Sequence, residues 1–172
     1  LPALVLIVGL GETGVAAAGW CARNGAAVRV ADTRLSPAGL AALTQTVDVA
    51  TLDLHLGCDV FEAALLEGVG ALILSPGLAP GLSPVKELLE QAAVAGIEVI
   101  GEIELFARAL QQLQAAQQYA PRVLGVTGTN GKTTVTALTR HMLSAAGISA
   151  RAAGNISPAA LDALMEALDT NT

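Results

Sequence analysis

Short apolar runs alternate with longer amphipathic stretches along the first part of the chain. Four runs are four or five residues long, almost continuously apolar and rich in Val, Ile or Leu: residues 4–8, 27–31, 71–74 and 97–100. Runs of this length and composition predict strands that are buried on both faces of a parallel sheet. A further segment, residues 49–56, alternates too irregularly to assign, and a short strand there is left open.

The stretches between these runs predict helices. They carry apolar residues at helical spacing and cover residues 13–24, 38–45, 61–67 and 84–95. Gly25 and Gly96 stand where helix C-caps are expected. Strands and helices that alternate this regularly predict right-handed βαβ crossovers and a Rossmann-like, doubly wound α/β sheet.

A second α/β segment is predicted further along the chain. Residues 102–118 have a helical pattern whose end is rich in Gln and Ala, and the domain boundary is placed there. A new apolar run at 123–126 predicts a strand that enters a loop and then a helix, and a last short run, turn and helix follow at 150–168. These patterns predict a first domain at 1–110, a linker at 111–121, and the truncated start of a P-loop α/β domain at 122–172.

Composition and charge narrow the class of protein. A chain with 53% hydrophobic and 14% charged residues can bury a core. No apolar run reaches the roughly 18 residues needed to cross a bilayer, which predicts a cytoplasmic protein without membrane insertion. The net charge of -6, with nine Lys and Arg in all, argues against a nucleic-acid surface. Cys21 and Cys58 lack metal-ligand spacing, so both are expected to be structural.

A loop at 127–134, TGTNGKTT, lies between the predicted strand and the next helix. Backbone N–H groups of such a loop and the helix N-terminus favour an anion, and Lys132 adds a full positive charge for ATP phosphates. Thr133 has the reach to bind Mg²⁺. The general phosphate-loop pattern has glycine where Val126 stands, and the alternative interpretation is an ordinary turn with a solvated lysine.

A second glycine loop, GLGETG at 9–14, also follows a strand and opens a helix. Asp32 ends the next strand, where a dinucleotide-binding domain keeps the acid that binds ribose. NAD binding is therefore one interpretation of this loop. Thr33 and Arg34 put a cation directly after the acid, and that cation suits either the 2'-phosphate of NADP or the phosphates of another nucleotide.

A third loop, SPGL at 75–78, follows the strand that ends at Leu74. The carboxyl ends of parallel strands meet at one edge of the sheet, where ligands bind. Thr13, Arg34 and Ser75 are therefore expected to converge there, with a plain Ser-Pro-Gly turn as the alternative.

Taken together, these motifs resemble the Mur ligases, which build the peptide of peptidoglycan. TGTNGKTT is shared with sister ligases and with folylpolyglutamate synthases. The specific resemblance, to the branch that adds D-glutamate to UDP-N-acetylmuramoyl-L-alanine, rests on GLGETG, DTR at 32–34, SPGL, GEIEL at 101–105 and GN at 154–155.

The resemblance implies roles for particular residues. The first domain is then expected to hold the UDP-sugar rather than NAD, and Asn155 to reach the same substrate from the central domain. ATP is expected on the phosphate loop, with Mg²⁺ at Thr133. The implied UDP-sugar residues are Thr13, Asp32, Thr33, Arg34, Ser75, Gly77 and Asn155, and the implied ATP residues are Thr129, Asn130, Gly131, Lys132, Thr133 and Thr134.

The resemblance also implies a reaction. ATP phosphorylates the L-alanyl carboxylate, and the amine of D-glutamate attacks the acyl phosphate to form an amide. The family's Mg²⁺ glutamate, its carbamylated lysine and its D-glutamate-binding domain are expected past Thr172. The 172-residue chain is therefore expected to bind ligand without catalysing ligation. It is also expected to be a monomer.

Two other functions stay open on the residues alone. One is an NAD(P)-binding Rossmann module fused to a P-loop NTPase. The other, a folylpolyglutamate synthase relative, is disfavoured because that enzyme begins near its phosphate loop.

Overall fold

The computed structural model describes residues 1–170, apart from the side chain of Ala50. It contains five strands and six helices within those residues. The strands are β1 (Leu4–Val8), β2 (Ala27–Asp32), β3 (Leu52–Leu56), β4 (Ala71–Leu74) and β5 (Glu98–Ile100). The helices are α1 (Glu12–Arg23), α2 (Leu40–Thr46), α3 (Val85–Val94), α4 (Glu102–Gln117), α5 (Lys132–Ala145) and α6 (Ala160–Asp169).

The five strands form one parallel sheet in the order β3-β2-β1-β4-β5. In this register Val5 of β1 lies opposite Val28 of β2 on one side and Ala71 of β4 on the other. The chain winds outward from β1 through β2 to β3 and then returns to the other side of β1 to form β4. That reversal opens a crevice beyond the carboxyl ends of β1 and β4, where open α/β sheets bind their ligands. The Rossmann-like fold class is confirmed.

Both faces of the sheet are covered. Leu6 and Val8 of β1 share one core cluster with Phe61 and with Leu88 of α3. Val5 points to the opposite face, because side chains alternate along a strand, and it is equally inaccessible to solvent. Helix α1 packs against β1 and β2. Burial on both faces explains why the inner strands β1 and β4 are continuously apolar. The edge strand β3, LDLHL, alternates instead, and the other edge strand, β5, is partly exposed.

The structure decides one segment that the sequence left open and corrects one predicted helix. The open segment 49–56 contains strand β3. The helix predicted over 61–67 is only a 3-10 turn, Ala63–Leu66. Its side chains Leu65 and Leu66 are nevertheless buried in the same cluster as Phe61, which accounts for the helix-like apolar spacing.

The strand predicted at 123–126 is absent from the described residues, and that prediction was wrong. The short apolar run near 150–153 is not a strand either. A parallel strand needs a hydrogen-bonded neighbour, and all five strands that the structure describes lie before Gly101. Val123 and Leu124 are instead 60% and 68% exposed. Helix α5 has no buried residue, whereas α6 buries Leu161 and Leu164.

The chain divides into two compact units, residues 1–105 and 106–172, so that α4 spans the division. The predicted linker at 111–121 begins inside α4, and that domain boundary stays a prediction. Within residues 1–170 no helix is both long enough and apolar enough to cross a membrane.

Both thiols are held in their protonated form. Burial raises the pKa of Cys21 to about 12. Burial also raises the pKa of Cys58, together with the negative charges of Asp59, Glu62 and Asp32. Because the thiolate is the reactive form, we expect the Cys21 thiol of the folded chain to react with a neutral disulfide reagent at pH 8 at least ~10-fold more slowly than in urea, and the Cys58 thiol to react more slowly as well. Equal rates in the two conditions would contradict this assignment.

Candidate functional site

The glycine loop between β1 and α1 starts at a position that only glycine fits. Gly9 has φ +91°, and a Cβ there would lie 2.8 Å from Leu78 Cδ1 and 2.9 Å from Ser75 Cβ. Its N–H donates to the carbonyl of Ala31 at 2.8 Å. The left-handed conformation and the close neighbour loop both exclude a side chain.

The two other glycines of the motif have different roles. A Cβ on Gly14 would lie 2.1 Å from the carbonyl oxygen of Gly9, so glycine lets α1 pack directly against the loop. Gly11, the N-cap of α1, has no heavy atom within 4 Å of such a Cβ. The loop is therefore tightly packed at both ends and open in its middle, where the first N–H groups of α1 have no partner within the helix.

Asp32 ends β2 and is 3% exposed. The Leu10 N–H donates to its Oδ2 at 2.7 Å, and the Arg34 N–H donates to its Oδ1 at 2.8 Å. The Arg34 guanidinium adds two bonds, Nε to Oδ1 at 2.9 Å and Nη2 to Oδ2 at 2.7 Å. One carboxylate thus ties the glycine loop to the turn that follows β2.

These bonds determine the charge state of Asp32. Burial alone raises the pKa of a carboxyl group, but here the hydrogen bonds from Arg34 and Leu10 and the charge of Arg34 outweigh it and lower the pKa. Asp32 is therefore ionised at neutral pH. The Arg34 side chain is held by Asp32 but remains 55% exposed, so its outer face is available to a ligand.

Ser75 follows β4 and is also buried, at 8% exposed. Its hydroxyl donates to the Gly9 carbonyl at 2.6 Å. The structure thus brings Ser75, Asp32 and Arg34 to the same loop. Thr13 is half-buried in the first turn of α1, and Thr33 and Gly77 are exposed. Their roles toward a ligand stay predictions.

Sequence reasoning missed Gly39, which brings a further segment onto the loop. Its N–H donates to the Leu10 carbonyl at 3.3 Å. A Cβ on Gly39 would lie 2.5 Å from Val15 Cγ2 and 2.9 Å from that carbonyl oxygen. The only signal in the sequence is a glycine directly before α2, and helix caps favour glycine anyway.

The loop at 127–134 lies in the second unit and runs into the first turn of α5. Gly128 and Gly131 have φ values of +143° and +77°, and Lys132 begins the helix. The lysine Nζ donates to the carbonyls of Gly128 at 2.6 Å and Thr129 at 3.3 Å. Its ammonium group thus lies over the loop just before the helix, the place where a phosphate binds in a phosphate loop.

The other predicted ATP-binding residues lie in the same loop and in the first turn of α5. They are all exposed: Thr129, Asn130, Gly131, Thr133 and Thr134. Asn155 is exposed as well and lies in the bend before α6. Among the residues that the structure describes, no group of three His, Cys, Asp or Glu is placed to hold a metal ion.

Comparison with known proteins identifies the family. The family sequence model for the Mur ligase MurD-like N-terminal domain matches residues 3–101, more than half of the chain. The chain belongs to the MurD-like Mur ligases. The model of the Mur ligase middle domain matches residues 126–171 of this Mur ligase chain, the region that contains the loop at 127–134.

The sequences of curated relatives are consistent with this family. A UDP-N-acetylmuramoylalanine--D-glutamate ligase of Bordetella avium is 65% identical over 167 residues, which are 96% of this Mur ligase chain and 33% of the relative. A ligase of the same name from Ralstonia nicotianae is 53% identical over 98% of the chain and 33% of the relative. The chain spans about a third of the length of these relatives.

Among solved structures, the Mur ligase chain is similar to a murein peptide ligase from Psychrobacter arcticus. The TM-score is 0.49 and the sequence identity 21%, over 84% of this chain and 27% of that one.

Proposed function

We propose that this chain provides the UDP-sugar site and the ATP phosphate loop of a ligase that joins D-glutamate to UDP-N-acetylmuramoyl-L-alanine. The relatives that carry this name are up to 65% identical to the chain. The cytoplasmic location and the monomeric state predicted from the sequence belong to the same proposal.

The structural observation that carries the proposal is that Asp32 already accepts hydrogen bonds from within the chain. An NAD-binding domain uses the acid at this position to accept hydrogen bonds from ribose hydroxyls. Here both carboxylate oxygens already accept from Leu10 and Arg34, and the acid is buried. The group presented to solvent is the guanidinium of Arg34, a cation with planar donors that suits a uracil carbonyl or a phosphate.

The diphosphate fits the open part of the glycine loop. Gly11 leaves space above the backbone, and the free N–H groups at the start of α1 attract an anion. Thr13 lies in that first turn and contributes a hydroxyl. In this arrangement the N-terminal unit binds the nucleotide end of the substrate through its backbone, one hydroxyl and one anchored arginine.

The second loop fits the phosphates of ATP. The Lys132 ammonium donates to two loop carbonyls, and both bonds are exposed, so a phosphate can take over these hydrogen bonds without a buried contact being broken. Thr133 at the second position of α5 supplies the hydroxyl for Mg²⁺. When bound, Mg²⁺ neutralises phosphate charge, and Lys132 holds the γ-phosphate for transfer to the L-alanyl carboxylate.

Calorimetry on the 172-residue chain tests the first half of this proposal. We expect binding of UDP-N-acetylmuramoyl-L-alanine and no binding of NADH. The variant Arg34→Ala removes a charged hydrogen-bonding group and is expected to weaken UDP-sugar binding by about 10-fold. Trp20, the single tryptophan and 3% exposed, reports by fluorescence whether the variant is folded.

Arg23→Ala is the matched control, because Arg23 is an exposed arginine in the last turn of α1. It removes the same charge from the same unit, and its affinity should equal that of the parent chain. Tight NADH binding without UDP-sugar binding would refute the proposal and favour the dinucleotide-binding alternative. Equal affinity of the folded Arg34→Ala variant and the parent would exclude Arg34 from the site.

A further inference from the structure

One peptide group of the glycine loop is held from both sides by buried side chains. The carbonyl of Gly9 and the N–H of Leu10 belong to the same planar peptide unit. The carbonyl accepts from Ser75 Oγ at 2.6 Å, and the N–H donates to Asp32 Oδ2 at 2.7 Å. Ser75 follows β4 and Asp32 ends β2, so the strands on either side of β1 each contribute one side chain.

The geometry points to Ser75 as a positioning residue, which together with Asp32 fixes the orientation of the Gly9–Leu10 peptide and thereby holds the diphosphate-binding N–H groups in place. This inference rests on the proposed function. It replaces the expectation that Ser75 contacts the UDP-sugar directly. Its only O–H is already donated to Gly9, and the residue is 8% exposed, which leaves no hydroxyl proton for a ligand.

The orientation of this peptide affects the helix that begins two residues later. A Cβ on Gly14 would lie only 2.1 Å from the Gly9 carbonyl oxygen. This carbonyl is therefore packed directly against the first turn of α1. The same turn carries Thr13 and the first N–H groups of α1, which have no partner within the helix. A peptide that rotates therefore disturbs the start of α1, and a fixed one keeps the donors preorganised for phosphate.

Ser75→Ala tests the inference in the 172-residue chain, with ¹⁵N-detected hydrogen exchange of Leu10 and titration with UDP and with uridine. Loss of one hydrogen bond is expected to speed Leu10 exchange in the ligand-free chain by about fivefold. UDP affinity is expected to fall by about the same factor. Uridine affinity is expected to stay unchanged, because uridine has no phosphate for the loop to hold.

Ser83→Ala is the matched control. Ser83 is exposed and hydrogen-bonds the Glu87 side chain, and its loss should change neither Leu10 exchange nor UDP affinity. If Ser75→Ala does not fold, the near-isosteric Ser75→Cys keeps a weak donor, and intermediate values of both measurements are expected.

Three results overturn the inference. Weaker UDP binding with unchanged Leu10 exchange makes Ser75 a direct ligand contact. Faster exchange with unchanged UDP affinity makes the bond structural only, and equal weakening of UDP and uridine removes the link to the phosphates. If the parent chain binds neither UDP nor UDP-N-acetylmuramoyl-L-alanine, the proposed function is refuted instead, and Leu10 exchange then still decides whether Ser75 holds the peptide.

Discussion

Gly14→Ala is expected to destabilise the N-terminal unit by about 3 kcal/mol or more, the upper range for overpacking, and to abolish measurable UDP-sugar binding. The added Cβ would lie 2.1 Å from the Gly9 carbonyl oxygen and 3.1 Å from Ser75 Oγ. Both atoms are held in place, the first by backbone and the second by its hydrogen bond to that carbonyl. Either α1 moves away from the sheet or the Gly9–Leu10 peptide rotates.

Urea unfolding monitored by Trp20 fluorescence measures this effect, because Trp20 lies buried on α1 itself. Gly11→Ala is a matched control from the same loop. Its Cβ meets no heavy atom within 4 Å, and its φ of -94° suits any residue. Its unfolding midpoint should stay close to that of the parent chain. An unchanged midpoint for Gly14→Ala would show that α1 does not pack on the loop as described.

In the full-length ligase proposed above, Lys132→Ala is expected to lower ATP-dependent phosphate release by on the order of 100- to 1000-fold, the effect of losing one preorganised charge donor. The lysine supplies the only full positive charge between Gly125 and Thr139. Its present bonds to Gly128 and Thr129 are exposed, so stability should change little. Phosphate release with UDP-N-acetylmuramoyl-L-alanine and D-glutamate is the assay, with unfolding measured alongside.

Lys86→Ala is the matched control, since Lys86 is the other lysine of the chain. It is exposed on α3 and faces Glu90 at 3.8 Å, a surface pair of small energetic value. Its loss should leave phosphate release unchanged. Near-parental activity of Lys132→Ala would exclude the lysine from phosphate transfer and with it the assignment of the loop.

The sequence predicted where the candidate site lies, but it did not predict which residues contact each other there. Local pattern puts the glycine loop, Asp32 and Ser75 at strand ends, and parallel topology then brings strand ends to one edge. The partners of each side chain depend on strand order, because β2 and β4 must both lie beside β1 before Asp32 and Ser75 can reach one peptide. The close approach of Gly39 depends on packing in the same way.

Sequence by itself determined the parallel strands β1, β2, β4 and β5, the helices α1, α2 and α3, and the glycines at the loop. Buried strands of a parallel sheet are apolar runs, and left-handed turns favour glycine. Tertiary structure decided the rest. Segment 52–56 becomes β3 because β2 is there to pair with it. The more apolar segment 123–126 has no paired strand among the residues that the structure describes, and Val123 and Leu124 stay exposed. A strand needs hydrogen bonds from a neighbouring strand, and a buried carboxylate needs hydrogen-bond donors. Strand β2 is distant in sequence from β3, as Leu10 is from Asp32, so a local sequence pattern cannot predict these partners.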